Sequence, residues 1–226
     1  MAAKKSAVSC TLDEALARLQ KRAKKSVRDG MVRFGIPNDR AIGVAVGDIR
    51  DIAKSIGRDH ALAMSLFEED CYEARMLACF LGEPAALTIR QMDAWRSTFD
   101  NWAICDTACF HLFDKSPHAW SRVAAWSKRK DEFGKRAAFA LLASLGLHDK
   151  KADAKLFLAE MPRIRAAACD ERNFVKKAVS WALRGIGKRG GECLAAARAL
   201  AAELAKSDDA AERWVGKDAL RDFAKR

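Results

Sequence analysis

The sequence predicts an all-α protein, and three observations carry that expectation. Only four prolines occur in 226 residues, Pro37, Pro84, Pro117 and Pro162, and each falls between segments whose apolar residues recur at helical spacing. Alternating apolar and polar runs, the mark of half-buried strands, are absent. The strong helix formers Ala, Leu, Arg, Lys and Glu dominate instead. Hydrophobic residues make up 50% of the chain and charged residues 31%, which excludes a disordered tail and a small disulfide-dependent scaffold. The length allows one domain or two.

Read in order, the elements begin at Thr11-Leu-Asp-Glu14, where a threonine hydroxyl and a glutamate three residues on can cap each other's backbone N–H groups. The irregular stretch from Phe34 to Gly47 follows, with three glycines and Pro37. Thr88-Ile-Arg-Gln91 repeats the capping spacing, and Asp170 and Ser207 stand where N-caps are expected. About a dozen helices, each of one to two dozen residues, account for the chain.

Four segments look like one helix recurring: Glu73-Ala-Arg-Met-Leu-Ala, Lys135-Arg-Ala-Ala-Phe-Ala, Lys177-Ala-Val-Ser-Trp-Ala and Lys217-Asp-Ala-Leu-Arg. With Arg75, Asp106, Arg136, Lys177 and Asp218 taken as one register, the spacings are 31, 30, 41 and 41 residues. Such periods fit an α-solenoid of HEAT-like antiparallel helix pairs, a single repeat domain over 1–226 whose second helices line a concave face.

Charge is concentrated. The net is +11, and residues 120–190 alone carry 17 basic and 7 acidic side chains. A basic face of that kind implies a polyanionic partner, nucleic acid above all. The segment Met1 to Cys10 already contains Lys4 and Lys5, so no secretory core is expected there. The longest uncharged run, Ala137 to His148, is too short for a bilayer, which predicts no membrane association. Seven cysteines then read as free thiols of a reducing cytoplasm.

Two helices carry the candidate chemistry. From Asn173 to Lys188, Val175, Val179, Ala182 and Ile186 form the core stripe. Trp181 falls on the other stripe, Lys177, Trp181, Arg184 and Lys188, where cations suit phosphates and an indole suits a base or sugar. Trp102 and Asp106 share a helix face at i, i+4, with Ile104, Ala108 and Leu112 toward the core. Asp106 takes the place that Arg75, Arg136 and Lys177 hold elsewhere. A carboxylate there repels phosphate, and a positive charge developing in a transition state is a reason to keep it. Cys105, Cys109 and His111, with His118 beyond, lack the separated second pair of a structural zinc site and read as core positions. No metal is expected.

Three segments then resemble the bacterial DNA alkylation repair family of HEAT-like glycosylases. They are Asn101-Trp102-Ala-Ile-Cys-Asp106, Lys135-Arg136-Ala-Ala-Phe, and Phe174-Val-Lys-Lys-Ala-Val-Ser-Trp181-Ala-Leu-Arg184. Phe34-Gly-Ile-Pro and Gly43-Val44 resemble its N-terminal part, with Phe34 where a tyrosine is often found, while Asn101 and Asn173 replace aromatics of some members. The resemblance implies removal of cationic alkylated purines, such as 3-methyladenine and 7-methylguanine, from double-stranded DNA by a monomer without cofactor and without base flipping. It implies that Asp106 is the catalytic carboxylate, that Trp102 and Trp181 wall the damaged nucleotide, and that Arg136 contacts the adjacent backbone. Phe34, Arg75, Lys177, Arg184 and Lys188 are the expected nucleic-acid contacts. A non-catalytic DNA-binding relative and a protein-binding helical scaffold are the competing classes; the clustered charge disfavours the scaffold.

Overall fold

A computed structural model describes residues 10–225; the segment with Lys4 and Lys5 lies outside them. Fourteen α-helices and three short 3-10 turns, with no strand, make up the described residues. None of these helices is long and apolar enough to cross a membrane. All seven cysteines are free thiols. The chain forms two compact units that divide between Ala86 and Leu87.

The first unit holds α1 (Leu12–Gln20), α2 (Lys25–Gly30), α3 (Val46–Ile56), α4 (His60–Glu68) and α5 (Tyr72–Leu81). The Thr11 capping box forms as its spacing requires, with Glu14 N–H donating to the Thr11 hydroxyl and Thr11 N–H to the Glu14 carboxylate. Asp59 N–H donates to the Leu81 carbonyl, which ties the start of α4 to the end of α5 and makes the pair antiparallel. The irregular stretch is organised by one buried carboxylate. Glu73 accepts from Ile42 N–H at 3.0 Å, Gly43 N–H at 2.7 Å and Val44 N–H at 3.1 Å. Gly43 makes this possible: its φ is +93°, and a Cβ there would lie 2.3 Å from the Lys24 carbonyl oxygen. Three loop donors that burial would strand are thereby satisfied.

The second unit holds α6 (Ile89–Ser97), α7 (Trp102–His111), α8 (Ala119–Trp126), α9 (Glu132–His148), α10 (Ala154–Leu158), α11 (Met161–Ala167), α12 (Asn173–Gly187), α13 (Gly191–Leu204) and α14 (Ala210–Phe223). Several are shorter than the expected dozen residues, because the outer helices are broken by tight connectors. The Thr88 capping box forms with Gln91. Asp170 and Ser207 are not N-caps. Arg172 and Asp209 hold those positions, and Ser207 instead accepts from Asp209 N–H and donates to Glu212.

The expected register places its residues on second helices, which stand side by side as α7, α9, α12 and α14. The row is parallel. Cys105 and Cys109 of α7 point their thiols at the Phe133 and Ala137 carbonyls of α9, a shift of four residues on each. Arg136 of α9 meets Phe174 of α12, and ten residues on Gly146 meets Gly185. A Cβ on Gly146 would lie 2.8 Å from the Gly185 carbonyl carbon, and one on Gly185 would lie 2.9 Å from the Ala143 carbonyl oxygen. Small residues here let α9 and α12 approach more closely than alanines on both would allow. The expected apolar stripes are buried: Val175, Val179, Ala182 and Ile186 on α12, and Ile104, Ala108 and Leu112 around α7. Each larger member contributes about 1.5–3 kcal/mol of burial.

An ion cluster fixes the lower end of this row. Asp170 accepts from Arg172 Nε at 2.8 Å and Nη2 at 2.6 Å, and from Lys135 Nζ at 2.9 Å. The Arg172 guanidinium holds the Asp170 carboxyl well below the usual carboxylate range, and Lys135 adds to the pull. A depressed carboxylate stabilises the fold above its ordinary pKa and ceases to do so as acid protonates it. Unfolding midpoints in urea should therefore fall as the pH drops below about 4, and Asp170→Asn should flatten that slope. Gly185→Val should lower the unfolding free energy by about 1–3 kcal/mol, because no void receives the side chain.

Candidate functional site

Asp106 sits in the second turn of α7, and the helix start that positions it is well capped. Asn101 is buried, accepts from Ile104 N–H at 3.0 Å and donates to Asp100 at 2.7 Å. The residue that departs from an aromatic at 101 is thus the N-cap of the helix carrying Trp102 and Asp106.

The Asp106 carboxylate is held from α9. Arg136 donates from Nε to Oδ1 at 2.8 Å and from Nη2 to Oδ2 at 2.6 Å, a bidentate fork. Its Nη1 donates to the Phe174 carbonyl of α12 at 2.6 Å. One guanidinium therefore joins three consecutive helices of the row. The Arg136 side chain is 7% exposed and that of Asp106 18%. Arg136, expected beside the DNA backbone, directs its guanidinium to Asp106 and the Phe174 carbonyl. Burial pushes the Asp106 carboxyl above its ordinary value, and the guanidinium opposes that shift. Burial pulls Arg136 down, but Asp106 outweighs it and leaves the guanidinium above its ordinary value. The fork favours the ionised form of both groups against the cost of burial. Each carboxylate oxygen retains a lone pair that Arg136 does not use.

Aromatics surround the pair. Phe174 lies 5.4 Å from Phe133, centroid to centroid, and the Arg136 guanidinium is 5.9 Å from the Phe174 ring. Trp102 lies one turn before Asp106 on the same face of α7 and is half-buried. Trp181 of α12 stacks on Phe110 of α7, with centroids 6.1 Å apart and planes at 21°. The two rings meet across the small residues of α9. Phe110 packs in turn against the edge of His148, 4.2 Å away. Sequence reasoning missed Phe110 and His148, whose only signal was that Phe110 lies one turn beyond Asp106.

The expected cations divide. Lys177 is exposed and Lys188 half-buried, and neither has an ion-pair partner among the described residues. Arg184 lies 3.7 Å from Asp218 and 3.6 Å from Asp222. In the first unit Arg75 donates to the Glu69 carbonyl, lies 3.9 Å from Asp70 and stands over the Phe67 ring. Phe34, also in that unit, is 57% exposed, with the Arg33 guanidinium 4.8 Å from its ring. Cys105 and Cys109 are buried core thiols.

A carboxylate gripped by a buried arginine, on a helix beside a strongly basic stretch, fits a set of known sequences. The profile of the DNA alkylation repair enzymes matches residues 15–223. The chain belongs to the DNA alkylation repair enzyme family. No curated protein sequence matches it. Among solved structures, one described as "a new family of proteins related to the HEAT-like repeat DNA glycosylases with affinity for branched DNA structures" superposes with a TM-score of 0.76 at 19% identity, covering 93% of this chain and 94% of its own. The DNA alkylation repair fold is thus the HEAT-like helical repeat that the register predicted. An engineered protein shows a TM-score of 0.43 at 13% identity, over 95% of this chain and 99% of its own.

The fork predicts an asymmetric cost. Arg136→Ala should destabilise this family member by about 3–5 kcal/mol, since it leaves Asp106 buried and unpaired. Adding Asp106→Leu should recover much of that loss, and urea unfolding of the two single variants and the double variant measures the difference.

Proposed function

We propose that this protein is a DNA glycosylase that hydrolyses the N-glycosidic bond of cationic alkylated purines, of the 3-methyladenine and 7-methylguanine type, in duplex DNA. It acts as a cytoplasmic monomer, without metal or cofactor and without flipping the base. The observation that carries the reading is the bidentate hold of Arg136 on Asp106, one turn after Trp102 on the same face of α7. It fixes a carboxylate in a single orientation that ordinary solvated aspartates on a helix do not have.

The chemistry suits such a group. A purine alkylated at N3 or N7 is already cationic, so the C1′–N bond breaks with its electron pair leaving on the base, which departs neutral. No general acid is needed. The sugar becomes oxocarbenium-like, and a water captures it at C1′ and loses a proton to solvent. The free lone pairs of Asp106 stabilise that cation and orient the water. Trp102 and Trp181 offer electron-rich faces to the cationic base and sugar. Arg136 is a positioning residue, while Lys177, Arg184 and Lys188 meet the backbone, with Phe34 and Arg75 as contacts of the first unit.

A second reading, a DNA-binding protein that does not cut, is favoured by one observation. The guanidinium that orients Asp106 also neutralises much of its field, and the solved relative is described by its affinity for branched DNA. Incubation with methylated duplex in EDTA separates the two. Wild-type protein should release 7-methylguanine or 3-methyladenine, whereas binding without release supports the second reading. Asp106→Asn should keep DNA affinity and lose about 2–4 kcal/mol of barrier reduction, a fall of roughly 30- to 1000-fold in rate. Neutral lesions should be released poorly by the wild-type protein.

A further inference from the structure

The Arg184 pairs and the burial of Arg136 leave the positive charge of the second unit in need of another location. It collects where α7, α9 and α12 end. Beneath that end lies a fully buried carboxylate, Asp114. His148, the last residue of α9, donates from Nδ1 to Asp114 Oδ2. Lys115 Nζ lies 3.4 Å from the other oxygen and donates to the Phe110 and His111 carbonyls at 3.3 and 3.2 Å. Arg189, just past α12, donates to the Asp149 and Ala152 carbonyls at 2.5 and 2.7 Å, which draws the end of α12 onto the turn after His148. That turn carries Lys150 and Lys151, and Lys188 caps α12. None of these three lysines has an ion-pair partner among the described residues. The carboxylates of the turn each accept from a backbone N–H, Asp149 from Ala152 and the exposed Asp153 from Lys155 at the start of α10.

His148 is the one side chain here whose orientation is set from below. The bond to Asp114 and the edge contact with Phe110 fix its ring, and Nε2 is left without a partner among the described residues on a side chain that is 34% exposed. The same Phe110 carries Trp181 on its other side. We propose that His148, braced by Asp114 and flanked by Lys150, Lys151 and Lys188, is a binding site for a nucleic-acid phosphodiester. Bridging a carboxylate below and a phosphate above, the ring carries both protons and donates from Nε2. This rests on the reading that the protein binds DNA, and it fixes where the backbone lies relative to Trp181.

Binding is measured with a fluorescently labelled undamaged duplex across a salt series, independently of base release. His148→Asn keeps a donor toward Asp114 and removes Nε2, so it should unfold at the wild-type temperature yet weaken binding about tenfold. Its plot of log affinity against log salt should become shallower by about 0.9. His148→Ala should weaken binding to the same extent. Lys150→Ala with Lys151→Ala, both on the exposed turn, should reduce the salt slope further. Wild-type affinity and slope in His148→Asn would overturn the site, as would loss in His148→Ala alone, since the ring would then matter only as packing. Duplex binding that depends on His148 in a protein that releases no base would support the site and overturn the glycosylase reading instead.

Discussion

Much of the second unit depends on one largely buried guanidinium. Arg136 reaches from α9 to a carboxylate on α7 and a carbonyl on α12, so the spacing and rotation of three neighbouring helices are fixed by the planar geometry of one side chain. A lysine has no fork with which to satisfy that geometry. The burial that makes the pair costly to break also makes it specific, since removing either ion leaves the other in the packed row without its counter-charge. The same bond determines how Asp106 is presented: both of its oxygens are held by one guanidinium, which fixes the plane of the carboxylate.

The fold was legible because the helices obey local rules. Capping boxes at Thr11 and Thr88, apolar stripes on α7 and α12, and a register recurring at 30 to 41 residues all correspond to real elements. The failures have identifiable causes. Asp170 reads as a cap in one dimension, but Lys135 reaches it from a different helix, and an ion cluster displaces the cap. Glu73 looked like one more charged residue on a recurring helix, yet it organises a loop thirty residues away. Its partners are backbone N–H groups, which carry no sequence signature.

The candidate site was half legible. Asp106, Trp102 and Trp181 could be selected because each breaks the pattern of its own helix. What the pattern could not say is which cations are available. Arg75, Arg136 and Arg184 read as groove-lining charges, but each has an internal partner, and arginine's many donors make it the residue most easily drawn inward. The lysines, with a single strongly hydrated head, are the charges left outside. Phe110 gave little signal and His148 none, because their roles come from ring contacts between residues far apart in the chain.

Parallel packing of α7, α9 and α12 has an electrostatic consequence. Neighbouring helices that point the same way align their peptide dipoles, and aligned dipoles lying side by side repel. Antiparallel neighbours would cancel this term; a row of parallel ones accumulates it. At the amino ends Asp131 and Asp170 are paired with Arg129, Lys135 and Arg172, whereas Lys115, Lys150, Lys151, Lys188 and Arg189 at the carboxyl ends offset the dipoles there. The basic character of the carboxyl ends therefore favours stacking and is a surface property as well. A ligand that approaches the basic ends meets charge that the architecture had to place there for its own cohesion, so the stacking that holds the row together also furnishes a surface for polyanions.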